Sequence, residues 1–206
     1  MENYKKNLDL LTKNHVYSKE MEHDACGVGL IASTEGKKSR AIVEYGVEAL
    51  KAVWHRGAVD ADGKTGDGAG IHVEIPKDFF IEKIEVTGHD YDNAEICVGM
   101  IFLPRNDYAA QESCKTIVES ELSKNNFSIY GWRQVPVNPK VLGDKALQTM
   151  PEIIQVLFKS NDINLLDKKL ERKIYETRKR IENKAFQLSL NNFYVCSISS
   201  KSIIYK

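Results

Sequence analysis

Short apolar runs rich in Ile, Val, Phe and Tyr alternate along this chain with stretches whose apolar residues recur at helical spacing. Residues 71–75, 95–103, 127–137, 151–158, 193–199 and 202–205 are bounded by Pro, Gly or polar clusters and predict strands. Residues 26–33 form an earlier run of the same kind, closed by a turn at 35–38. Ser39 is placed to cap a helix reaching about Trp54, with Ile42, Gly46, Ala49, Leu50 and Val53 on one face. A short helix follows from Asp78 through Phe79, Phe80 and Ile84, and another spans 107–123. The longest, 165–186, carries Leu166, Leu170, Ile174 and Ile181 as its apolar line among charges that suit a solvated face with i,i+4 pairs. A modest helical pattern covers residues 4–13. Strands and helices come in blocks, with no repeat or low-complexity linker, which predicts one mixed domain.

Composition narrows the function classes. Lys+Arg and Asp+Glu each total 29 in 206 residues, so there is no basic excess to drive nucleic-acid binding. The apolar run Val98-Gly99-Met100-Ile101-Phe102-Leu103 is far too short to span a bilayer, and residues 1–25 have no apolar core of a secretory signal. A cytoplasmic protein with no membrane or nucleic-acid partner is expected. The four cysteines are scattered, without C-x-x-C or a His at metal spacing, so neither a disulfide framework nor a metal site is expected. Cys97 and Cys196 lie in strand-like runs and are expected to pack; Cys114 falls in a helical stretch.

Candidate chemistry begins at His23-Asp24-Ala25-Cys26-Gly27-Val28-Gly29, where a cysteine heads an apolar run between a small residue and a glycine. If the Ala25–Cys26 bond were cut, an α-amine with a pKa of about 7.7–8.0 would sit beside its own thiol, a nucleophile and its base in one residue. The competing reading is an ordinary buried cysteine. Downstream, His55-Arg56-Gly57-Ala58 and Thr65-Gly66-Asp67-Gly68-Ala69-Gly70 bracket a loop, 55–70, holding five of the 13 glycines. Gly63-Lys64-Thr65 imitates the end of a phosphate-binding loop, but the required glycine at 58 is Ala58, a helix leads in where a strand is needed, and Asp60 and Asp62 repel phosphate. A loop folded back beside Cys26, with Arg56 supplying fixed positive charge, and a plain solvent loop both remain open.

These stretches, together with Tyr130-Gly131-Trp132-Arg133, Pro151-x-Ile153-x-Gln155 and Phe193-Tyr194-x-Cys196-Ser197, resemble the N-terminal glutaminase domain of glutamate synthase large subunits, over the whole chain. That family comprises class II glutamine amidotransferases of the N-terminal-nucleophile hydrolase fold. The resemblance implies an α+β fold, a four-layer αββα sandwich, here truncated at the C-terminus. It implies a leader, residues 1–25, removed on maturation, and 26–206 as the N-terminal part of the type 2 amidotransferase domain. It also implies that Cys26 attacks L-glutamine, with Arg56 supporting substrate binding and Gly68 contributing backbone. No cofactor is implied in this segment; FMN and an iron–sulfur cluster are implied for the full-length enzyme. The implied partners are downstream synthase domains of the same chain and either a small subunit or ferredoxin.

The family's later Arg-Tyr-Ser clamp and the Asn-Gly pair of its oxyanion hole have no counterpart here, and no Asn-Gly dipeptide occurs in the chain. Since one lost oxyanion donor typically costs about 10²–10³ in rate, the 206-residue chain alone is expected to be inactive. The rival readings are another class II amidotransferase, of the amidophosphoribosyltransferase type, and a non-catalytic binding module of the same fold.

Overall fold

The computed structural model describes residues 2–14, 27–54 and 57–206. Its helices are α1 (Glu2–Asn14), α2 (Arg40–Ala52), α3 (Lys77–Val86), α4 (Tyr108–Lys124), α5 (Asp144–Thr149) and α6 (Asp167–Gln187). Its strands are β1 (Ile71–Glu74), β2 (Cys97–Leu103), β3 (Phe127–Gln134), β4 (Glu152–Ser160), β5 (Tyr194–Ser199) and β6 (Ser202–Tyr205). The main sheet is antiparallel in the order β3-β4-β2-β5, and β1 pairs with β6 in a second, two-stranded antiparallel sheet. The mixed α+β composition matches the expectation.

The run 97–103 is apolar throughout because β2 lies between β4 and β5 and is covered on both faces. Cys97, Ile101 and Leu103 point into one core, against Leu122 of α4 and Ile174 of α6; Val98 and Met100 point into the other, against Phe80 and Ile84 of α3 and Ile203 of β6. Gly99 is glycine because a Cβ there would come within 2.7 Å of Val156 Cγ1 on β4. Helices α4 and α6 cover one face with buried residues at helical spacing, Cys114, Val118 and Leu122 on α4 and Leu170, Ile174, Thr177 and Ile181 on α6. Their joint is electrostatic too: buried Glu121 pairs with Lys184 and Lys124, which hold its carboxyl below the usual range. The charges on α6 form the expected solvated pairs, such as Arg172 with Glu176. Leu166 instead precedes the helix and is half exposed.

Two bulges tie the layers together. In β5, Val195 pairs with Ile101 and Ser197 with Met100, so Cys196 is an extra residue. The slip lets Val195 and Ile198 share one core while Cys196 faces the other. It also aims Ser197 Oγ at β6, where it accepts the Ile204 amide at 3.1 Å. In β3, Tyr130 is the extra residue before Gly131, whose φ of 154° suits glycine. The α3 C-cap Thr87 packs where a Gly131 Cβ would be, and its hydroxyl lies 2.9 Å from the Tyr130 carbonyl.

The expected strand at 26–33 is a correction. Its described part, 27–33, is irregular, with Val28 95% and Leu30 89% exposed. An extended run holds its shape only when a neighbouring strand takes its amides and carbonyls. Here β1 pairs with β6, and no described strand pairs with 27–33. Helix α2 starts at Ser39 as expected, whose Oγ accepts the Ala41 amide at 3.2 Å. It approaches β1 through Gly46, 3.3 Å at the Cβ position from Ile71 Cδ1, but buries none of its residues. No described helix is long and apolar enough to cross a membrane.

Candidate active site

Cys26, His55 and Arg56 lie outside the described residues, as do residues 15–25. What the structure describes is the chain adjoining them in sequence: the segment from Gly27, the end of α2, and the glycine-rich loop from Gly57. The turn after the Gly27 segment closes with Gly36 donating to the Ser33 carbonyl at 3.3 Å, and Lys38 ties it to Glu74 of β1 at 2.6 Å.

The loop is a small hairpin. Val59 and Gly66 form an antiparallel bridge, and Asp67 closes its base by accepting the Ala58 amide at 2.9 Å while its own amide donates to the Ala58 carbonyl at 3.2 Å. At the tip, Asp62 Oδ1 accepts the Lys64 and Thr65 amides at 2.9 and 2.7 Å, and Oδ2 accepts the Thr65 hydroxyl at 2.5 Å. These bonds, the hydroxyl's first, hold the Asp62 carboxyl far below its usual range. A phosphate would need the same amides, so the chain's own carboxylate occupies the nest that a phosphate-binding loop keeps for its ligand. Close backbone approach accounts for three of the loop's glycines: a Cβ on Gly57 would sit 3.3 Å from the Trp54 carbonyl. A Cβ on Gly66 would sit 3.2 Å from the Ala58 carbonyl and one on Gly70 3.0 Å from the Tyr205 carbonyl, whereas Gly68 faces open space.

The sequence gives no sign of what holds the hairpin tip. Residues 138–150 fold as a 3-10 turn, Pro139–Val141, followed by the short α5. Lys145 Nζ reaches Asp60 Oδ2 at 2.5 Å, lowering the Asp60 pKa, and the Ala146 amide lies 3.4 Å from Thr65 Oγ1. Gly143 lies directly under the tip: a Cβ would come within 2.5 Å of the Thr65 amide nitrogen and closer still to Thr65 Oγ1 and Asp62 Oδ2. Its only signal in the sequence is a glycine before a short polar helix.

The other three thiols are unreactive by position. Cys97, Cys114 and Cys196 are free and buried. Burial pushes the Cys114 thiol up to about 11, and raises those of Cys97 and Cys196 as well. No group of three or more His, Cys, Asp or Glu side chains among the described residues could hold a metal.

A family model described as glutamine amidotransferases class-II matches residues 26–206. The chain is 51% identical over 203 residues to the glutamate synthase [NADPH] large chain of Azospirillum brasilense, covering 98% of this chain and 13% of the relative. It is 38% identical to the ferredoxin-dependent glutamate synthase of Pyropia yezoensis, over 96% of this chain and 13% of that protein. It is 39% identical to ferredoxin-dependent glutamate synthase 1, chloroplastic/mitochondrial, of Arabidopsis thaliana, over 90% and 11%. The chain thus spans about an eighth of the length of the first two relatives, 13% of each.

Proposed function

The chain belongs to the class-II glutamine amidotransferases, and from that premise we propose that it forms the glutamine-cleaving part of a glutamate synthase, with Cys26 as nucleophile. The observation that carries the reading is that the family match opens on Cys26 itself, while the other three thiols are buried and protonated. In this reading residues 1–25 are a leader whose removal frees the Cys26 α-amine. The domain is a four-layer αββα sandwich of the N-terminal-nucleophile type. The order of packing supports that arrangement: α4 and α6, the main sheet, the β1–β6 pair, then α2 against β1.

The Cys26 thiol loses its proton to the α-amine, and the thiolate attacks the side-chain carbonyl carbon of glutamine. The resulting tetrahedral centre collapses with cleavage of the C–N bond, and the ammonium proton passes to the departing nitrogen as ammonia leaves. A thioester remains; water deprotonated by the same amine adds to it, the C–S bond breaks as the ammonium returns its proton to sulfur, and glutamate leaves with the thiol restored. Arg56 holds negative charge near the nucleophile, and the backbone at Gly68, where the structure leaves open space, faces the substrate. The names of the relatives favour a synthase over an amidophosphoribosyltransferase: ammonia passes to 2-oxoglutarate in the rest of a longer polypeptide. FMN and an iron–sulfur cluster would supply the reducing electrons there. The described residues offer no metal-holding cluster for them. The electron donor would be a reduced pyridine nucleotide or ferredoxin, and the further partner a small subunit or ferredoxin.

Two measurements on the full polypeptide test the assignment. Intact-mass analysis is expected to show loss of Met1 through Ala25, and Cys26→Ala is expected to abolish ammonia release from glutamine. Full activity with the leader retained, or turnover by Cys26→Ala, refutes the nucleophile.

A further inference from the structure

The described hydrogen bonds of residues 58–67 stay within the hairpin except at one place, its contact with residues 143–146. We propose that Gly143 is a positioning residue for glutamine binding: it seats the hairpin tip, and through the hairpin fixes the backbone at Gly68. The proposal rests on the reading of Cys26 and Gly68 given above.

Two interactions compete for the credit. The Lys145–Asp60 pair is exposed, with 71% of the lysine side chain open to solvent, and pairs of that kind contribute little. The approach at Gly143 is steric and has no slack. A methyl group there would overlap the Thr65 hydroxyl, the Thr65 amide and the Asp62 carboxylate together. None of these can yield alone, because Asp62 and Thr65 are bonded to each other. The tip must move as a unit. Its base, the Val59–Gly66 bridge, lies two residues from Gly68, so the displacement reaches that backbone. A misplacement of about 1 Å in a positioned site can lower its rate about 10²-fold.

The test uses the full polypeptide with two readouts, steady-state glutamine turnover and the rate at which iodoacetamide alkylates Cys26. The small reagent needs only the thiol and its amine, whereas glutamine needs the seated loop. Gly143→Ala is expected to raise KM for glutamine about tenfold or more, while alkylation of Cys26 stays within about twofold of the unaltered protein. Lys145→Glu changes only an exposed side chain, so it keeps the test open if Gly143→Ala fails to fold. It is expected to raise KM about threefold, and adding Asp60→Lys should restore it. Unchanged KM in Gly143→Ala, or in Lys145→Glu where Gly143→Ala does not fold, overturns the proposal, as does a loss of turnover matched by an equal loss of Cys26 alkylation. Cys26→Ala runs beside them: turnover retained there overturns the nucleophile itself and the premise of this inference, a result distinct from a null effect at Gly143.

Discussion

The burial of Cys97, Cys114 and Cys196, set beside the proposed nucleophile Cys26, leads to a pulse-alkylation experiment. Alkylation proceeds through the thiolate. At pH 8 a cysteine with the ordinary pKa of about 8.5 is about 0.2 thiolate. Cys114, pushed up to about 11, is only about 0.001 thiolate at the same pH, which is a difference of about 200-fold before access is considered. It is also fully buried, so the reagent meets it only after local opening, and Cys97 and Cys196 are raised and buried in the same way. A brief iodoacetamide pulse on the native protein at pH 8, followed by peptide mass mapping, is therefore expected to label Cys26 at least about 100-fold faster than the other three. In concentrated urea the four should converge. Labelling of Cys114 within about tenfold of Cys26 in the native protein would show that burial does not set these reactivities and would remove the chemical support for Cys26.

Two further expectations concern the frame. Gly131→Ala places a methyl group against Thr87 at a φ of 154°, and is expected to lower unfolding stability by about 1–3 kcal/mol in urea titration; a neutral result would mean the β3 bulge tolerates a side chain. Asp92 is held down to about 2 by its bond from Lys159 and then by the Tyr130 hydroxyl at 2.6 Å. The unfolded chain binds that proton first as pH falls, so the stabilisation is complete above about pH 4 and disappears as pH drops through about 2. Asp92→Asn should flatten the urea midpoint between those limits, and an unaltered acid slope in the variant would count against the network.

How much of this was legible depended on whether a residue's neighbours were local. The run 97–103 announced a strand, and β4, the span of α4 and the apolar line of α6 were equally plain, because their periods are properties of single segments. The bulges at Tyr130 and Cys196 were not, since a slip in alternation acquires meaning only beside the partner strand. Residues 26–33 show the reverse failure: an apolar run promised a strand, but a strand also needs an edge to pair with. In the site, the cysteine and the glycine loop stood out by composition. Gly143 did not, because the contact that requires a glycine there comes from Asp62 and Thr65, about 80 residues earlier in the chain.

The pairing of β1 with β6 has a consequence in time. Ile71 lies opposite Tyr205, so this small sheet closes a loop of more than 130 residues. By chain entropy alone that closure costs roughly 2 kcal/mol more than a loop one tenth as long, and long-range pairings of this kind form late. Until β6 arrives, β1 and the glycine loop that leads into it have no strand to lean on. On a growing polypeptide, the amides of β1 would stay exchangeable until Tyr205 has left the ribosome, long after residues 97–103 have been made. Strand β1 is thus among the earlier segments synthesised and among the last to find its partner.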